Sequence, residues 1–239
     1  MNSTPAITEA RSRLEEGLEK AKLILEAIAR GEYCCLRHGL PYITPSILYE
    51  QAFCEMKLHL RLSKGAPSNA RPSTATILLR ELLRTKHNTS GIISPPMAAT
   101  ILSVPIIARP PALAVKDCVH AIYIAASFNK RPYHPQLVKA YAYAAIAHSL
   151  GIACNTMHLA FVSTRNPNSL KQLINLIQNP LKPKPTKIGD AKIVTMIYDH
   201  EKALAILSRL LAYWTMKREP QARKNSYCPK CPFNTHCTL

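Results

Sequence analysis

Acidic side chains are scarce in this chain, and their distribution is uneven. Only 14 Asp and Glu stand against 31 Lys and Arg, a formal net charge of +17. Between Glu81 and Asp199 there is no glutamate, and the aspartates are Asp117 and Asp190 alone. That stretch therefore has little to build a hard-cation site, which needs carboxylate oxygens. Glycine is also scarce, at seven residues, while proline reaches 19, a balance compatible with a thermophilic source. No apolar run reaches the roughly 18 to 20 residues of a membrane helix, and the opening "MNSTPAITEARSRLEEGLEK" is too polar for a secretory signal. The expectation is a soluble, cytoplasmic protein with no membrane partner.

What is present points elsewhere. At 239 residues with 47% hydrophobic content, the chain can bury roughly 70% of its surface and needs no staple to hold a core. The positive charge predicts a polyanionic partner, with DNA first. Its basic residues are spread out rather than gathered in a tail, which favours a structured basic surface. Without base-reading residues such a surface supports binding, not sequence specificity. Each lysine taken singly is better read as a solvated charge.

There are eight cysteines, and three of them, Cys228, Cys231 and Cys237, close the chain in the spacing C-x2-C-x5-C. Thiols clustered in this way, in a chain with no sign of secretion, are better read as metal ligands than as a disulfide framework. Zinc sites and iron–sulfur clusters both want four ligands, so a fourth should lie elsewhere. Cys34, Cys35, Cys118 and Cys154 read as small buried hydrophobes.

The pattern along the chain is α/β. Residues 8–31 read as a helix, with acids early and Gly31 at its end. "ITPSILYEQAFCEMKLHLRLSKG" reads as a second helix, with Thr44 as N-cap, Pro45 in the first turn, Gly65 at the end and Cys54 in the middle. Its apolar surface reads as Leu48, Phe53, Met56, Leu58 and Leu60. A third helix is expected from about Ser73 to Lys86. Two or three strands follow between about Thr100 and Phe128, with a hairpin turn at Lys116-Asp117. "HPQLVKAYAYAAIAHSLG" is a helix with Gly151 beyond its end. "IACNTMHLAFVS" is a strand, "NSLKQLINLIQN" a short helix, and "NPLKPKPTKIGD" a loop. "AKIVTMIYD" is a strand, and "DHEKALAILSRLLAYWTMKRE" a long helix that runs into the cysteine tail.

"ITPSILYEQAFCEMKLHLRL" together with the terminal C-x2-C-x5-C resembles the RecB-like, PD-(D/E)XK-type nucleases that carry an iron–sulfur cluster. The likeness is nearest to the CRISPR-associated exonucleases of family four, and behind them to the nuclease domains of AddB and related helicase–nucleases. It covers most of residues 40–239. It implies a RecB-like domain over 41–239, a central mixed sheet flanked by helices and clamped by the cluster, with residues 1–40 as a helical extension. It also implies the ligand set Cys54, Cys228, Cys231 and Cys237 around an iron–sulfur cluster, four-iron ahead of two-iron. The zinc alternative uses the same thiols, with His236 able to replace one.

The resemblance implies catalytic positions that this chain does not fill. The expected histidine falls at Arg84, the aspartate at Pro111, and the Glu-x-Lys at about Ala125 and Ser127. Gln136 and Tyr141 remain as possible remnants. No Mg²⁺ or Mn²⁺ site is expected, so the reading is a nuclease homologue without its chemistry. The alternative is that Asp117 and Asp190 meet His120 or His134 and rebuild a site for an active exonuclease. A DNA surface would draw on Arg109, Lys130, Arg131, Lys139, Arg165, Lys182, Lys184, Lys187, Arg223 and Lys224, with Lys230 near the cluster. Tyr133 and Tyr141 would stack on bases. The implied role is a structural subunit in a DNA-processing assembly, CRISPR adaptation first. A scaffold that binds only protein is the other reading, with the N-terminal helix as its surface.

Overall fold

The computed structural model describes residues 5–65, 91–110, 112–115, 119–125, 132–154, 157–163, 186–188 and 191–237. The expected helix at Ser73–Lys86 and the short helix in "NSLKQLINLIQN" lie outside them.

Helix α1 spans Pro5–Ala29. Leu14, Leu18, Ala21, Leu25 and Ile28 recur at three- and four-residue spacing and are all buried, so one stripe of α1 faces the core. Gly31, at φ +78°, reverses the chain after it. Helix α2 spans Pro45–Ser63, and the Thr44 hydroxyl accepts from the Ile47 N–H at 3.3 Å as its N-cap. Helix α3 spans His134–Ser149 and helix α4 spans His200–Trp214. Asp199 caps α4 by accepting from the Lys202 N–H at 3.0 Å.

The strands are more numerous than the sequence suggests. β1 (Gly91–Ile93), β4 (Ala112–Val115), β5 (Val119–Ala125), β6 (His158–Ser163), β7 (Thr186–Ile188) and β8 (Ala191–Ile197) form one mixed sheet in the order β1-β4-β5-β6-β8-β7. β5 and β6 are parallel, and the other pairs are antiparallel. Val115 faces Val119 across the β4–β5 pair, which brackets the expected hairpin turn at Lys116-Asp117. β7 arises inside the stretch expected to be a loop, where it pairs along β8.

A separate hairpin joins β2 (Met97–Ile101) to β3 (Val104–Ala108). Its turn is Leu102-Ser103, both at positive φ, so no glycine announces it in the sequence. Ile43 adds a parallel bridge to this hairpin: its N–H donates to the Pro105 carbonyl and its carbonyl accepts from the Ile107 N–H, both at 3.0 Å.

α1 packs on β2, and α3 lies against α2, α4 and β2. One apolar cluster runs from Ala10 in α1 to Trp214 in α4, so α1 shares the core with residues beyond 40. Contact is close at Gly17, where a Cβ would overlap the Ile152 side chain and approach the Leu150 carbonyl at 3.1 Å. The architecture is mixed α/β. Among the described residues, no helix is long and apolar enough to cross a membrane.

Candidate metal centre and its clamp

Cys54 does not sit in a regular helix. Inside α2 its backbone is extended, at φ −161° and ψ 104°, which divides the helix into two halves. An extended residue breaks the i to i−4 ladder and gives its side chain a direction that an unbroken helix denies it. The sequence carries no glycine or proline there to announce the break.

After α4 the chain turns at Met216 (φ +58°) and runs back along α2. Cys228–Lys230 and Asn234–His236 each make a single 3-10 turn. In the first turn the Cys231 N–H donates to the Cys228 carbonyl at 3.1 Å, closing the C-x2-C segment on itself. The Asn225 N–H donates to Cys228 Sγ at 3.2 Å, a backbone bond of the kind that tunes a metal-bound thiolate.

Cys54, Cys228 and Cys231 line one cavity of about 210 Å³. Cys237 belongs to the same neighbourhood: burial first, then the sulfurs of Cys54, Cys228 and Cys231, push its thiol above the ordinary range. All four thiols are free and partly buried. Among the described residues, no three His, Cys, Asp or Glu side chains are arranged to hold a metal ion. Cys54, Cys228 and Cys231 thus share one space, with Cys237 near them. As donors they suit soft metals and iron–sulfur clusters. His236 turns aside, with Thr235 Oγ1 at 3.0 Å from its Nδ1 and Lys64 Nζ at 3.3 Å from its Nε2.

Beside Cys54 lies a second device that sequence reasoning missed. The buried residues of α2 include Leu48, Gln51, Glu55, Leu58 and Leu62, one helical stripe with two polar members. Phe53, Met56 and Leu60, expected in the apolar surface, are only half-buried. Glu55 accepts from both Arg218 Nη atoms at 2.5 Å and from the Gln221 N–H at 2.7 Å. Gln51 Nε2 donates to Glu55 at 2.5 Å and to the Leu210 carbonyl at 3.0 Å. Gln51 Oε1 accepts from the indole N–H of Trp214 at 2.8 Å. No buried side-chain N or O among the described residues lacks a partner. The legible signal was Gln51 and Glu55, four apart, within a stripe that is otherwise apolar.

A third contact ties residues 36–40 to the same tail. Arg37 donates to the Tyr213 carbonyl at 2.9 Å and the Arg218 carbonyl at 2.8 Å, with its guanidinium 4.7 Å from the Tyr213 ring centre. The Tyr213 hydroxyl lies 2.8 Å from His38 Nε2 and 3.1 Å from His59 Nδ1.

The other expected positions divide three ways. Arg84, Pro111, Ser127, Asp117, Asp190, Cys118, Lys130, Arg131, Arg165, Lys182 and Lys184 lie outside the described residues. Ala125 ends β5 opposite Ser163, and Lys187 lies in edge strand β7.

Two expectations are corrected among the rest: the stacking role of Tyr141 and the reading of Cys34, Cys35 and Cys154 as buried hydrophobes. Gln136 is buried and caps α3 by accepting from the Tyr133 N–H at 2.9 Å. Tyr141 is 3% exposed, its ring 6.3 Å from that of Tyr198, so it cannot stack on a base. Burial, and after it Asp199, raises the Tyr141 phenol. Lys139 is half-buried, its proton affinity lowered by desolvation, with Nζ 5.9 Å from the Tyr49 ring centre. Cys34 and Cys35 are not buried hydrophobes; they are exposed and joined to each other as a disulfide. Cys154 is half-buried against the core, but it too is disulfide-bonded rather than a plain buried hydrophobe. Arg109, Arg223, Lys224 and Tyr133 are exposed.

No protein-family model and no curated protein matches this chain. A solved structure described as "Crystal structure of SSO0001" is similar at 13% identity, covering 90% of this chain and 94% of that one, with a TM-score of 0.38. A likeness that loose carries neither fold nor function, so what the site does rests on its own geometry.

Proposed function

We propose that this protein is a DNA-binding, catalytically inactive, iron–sulfur RecB-like nuclease homologue that serves as a structural subunit of a DNA-processing assembly, of the CRISPR adaptation kind. The observation that carries this reading is the meeting of Cys54 with Cys228 and Cys231 around one cavity, with Cys237 close enough to feel all three. Four thiols drawn from positions 54 and 228–237 are the donor set of a cluster that fastens the tail to α2.

A zinc ion asks for four donors at about 2.0 to 2.3 Å from one point. In a four-iron cluster each thiolate holds its own iron, so the sulfurs stand further apart around a larger body. The x5 spacing and the lone distant cysteine favour the cluster over zinc. When bound, the cluster supplies cross-linking between its ligands. This chain's own residues do the rest: Asn225 orients Cys228, and the break in α2 frees Cys54 to face the tail.

The inactivity follows from composition. The strand sequences "ALAV", "VHAIYIA" and "HLAFVS" hold no carboxylate, so β4, β5 and β6 offer no carboxylate ligands for Mg²⁺ or Mn²⁺. The net charge of +17, with exposed Arg223 and Lys224 beside the cysteines, supports a polyanionic ligand.

The test is anaerobic purification with iron and sulfide quantified, followed by binding and cleavage assays on the same samples. Single-stranded and duplex DNA are offered with Mg²⁺ and with Mn²⁺. Bound, intact DNA with affinity falling steeply in salt is expected. Metal-dependent cutting, lost on changing Asp117 or Asp190, would overturn the reading and restore an active exonuclease.

A further inference from the structure

A larger cavity, of about 570 Å³, lies between α2, α4 and residues 218–223 and is also lined by Cys54 and His134. That volume falls in the range of small-ligand sites, roughly 300 to 1,000 Å³, and is too small for a duplex. Three arginines line it: Arg209, Arg218 and Arg223. Their situations differ. Arg218 is committed to Glu55, and that pair is neutral as a unit. Arg209 donates to the neutral Gln221 side chain at 2.8 Å. No carboxylate pairs with Arg209 or Arg223 among the described residues. Two uncompensated guanidinium groups therefore share one concave wall whose single carboxylate is already saturated.

His134 reports the same charge: burial first, and then Arg223, lowers its proton affinity. Exposed aromatic rings stand near both sides. Tyr133, 56% exposed, precedes His134, and Tyr227, 61% exposed, has its ring 5.4 Å from that of Phe53, which lines both this cavity and the cysteine cavity.

We propose that this pocket binds the terminal phosphomonoester of a nucleotide unit, either the phosphorylated end of a DNA strand or a free mononucleotide. The charge count selects the ester. A backbone diester carries one negative charge, whereas a terminal monoester carries close to two near neutral pH. Two free guanidinium groups match the second, and guanidinium forks bind phosphate oxygens in pairs. The nearby rings suit an adjoining base. This deepens the DNA-binding reading and rests on it for the class of ligand.

The experiment is fluorescence anisotropy with one oligothymidylate in three forms: 5′-phosphorylated, 3′-phosphorylated and unphosphorylated. Thymidine 5′-monophosphate serves as competitor, and the protein is wild type or the double variant Arg209→Gln/Arg223→Gln. Both substitutions are at exposed positions, and a matching melting temperature checks that the variant is folded. At least one phosphorylated form should bind about tenfold tighter than the unphosphorylated strand, and the double substitution should erase that preference. Equal, tight binding of all three forms by wild type overturns the pocket while leaving DNA binding intact. A preference that survives the substitution also overturns it. Binding of the mononucleotide through these arginines, with no strand bound, supports the pocket and removes the DNA-binding reading.

Discussion

The chain after α4 is fastened to α2 at two adjacent points of opposite kind. At Glu55 the fastening is complete in the polypeptide: a buried carboxylate meets Arg218, Gln51 and the Gln221 N–H, and Trp214 closes the network through Gln51. At Cys54, one residue away, three thiols line a cavity with Cys237 nearby, and all four are free. The first point is a lock made of side chains. The second is a socket. The contrast teaches that the tail's path is set before any cofactor arrives, because the hydrogen-bonded network already directs residues 218–221 past Cys54.

Breaking the lock should have the largest effect. Glu55→Ala strands the Arg218 guanidinium in a mostly buried place and should cost about 3 to 5 kcal/mol in urea unfolding. A loss below about 1 kcal/mol would show that the tail is held by something else. Breaking the socket should matter only when it is loaded. Cys54→Ser should abolish iron retention and lower the stability of the iron-replete protein by about 2 to 4 kcal/mol, in the range of a cross-link over a long loop. Metal-free protein should scarcely notice the change, and an equal loss in both forms would deny the distinction. Trp214→Phe probes the lock more gently: Gln51 Oε1 loses its donor, at about 1 to 3 kcal/mol, and iron content should not change.

The smallest effect is one of pH. His38 contacts the Tyr213 hydroxyl, and its proton affinity is lowered to about 4 by burial first and then by His59 and Arg37. The unfolded chain therefore takes up this proton more readily than the folded one. The stability it contributes is present above about pH 6.5 and is lost as the pH falls toward 4. Melting temperature should decline across that window, less so in His38→Asn; equal slopes would remove His38 from the account.

The sequence carried the parts whose signals are local. Thr44-Pro45, Asp199, Gly31 and Gly151 mark helix ends by their own chemistry, and the structure places ends there. Local signals failed where neighbours in space decide. The Leu102-Ser103 turn has no turn-forming glycine; the hairpin pairing around it imposes positive φ. β7 hid in a lysine- and proline-rich stretch because its reason to exist is the edge of β8. Gln51 and Glu55 stand in an apolar stripe for reasons outside their own helix, because Trp214 and Arg218 arrive from more than 150 positions away. Tyr141 shows the reverse error: a ring expected to stack on bases fills the core instead.

The lock between Glu55 and Arg218 also fixes an order of events during synthesis. Its partners are separated by 163 residues. At roughly 5 to 20 residues per second, Glu55 leaves the ribosome roughly 8 to 30 seconds before Arg218. Throughout that interval the carboxylate and its neighbouring thiol at Cys54 face water. Docking of the tail is then a late desolvation step, and the nascent chain is most open to oxidation and to wrong partners just before it.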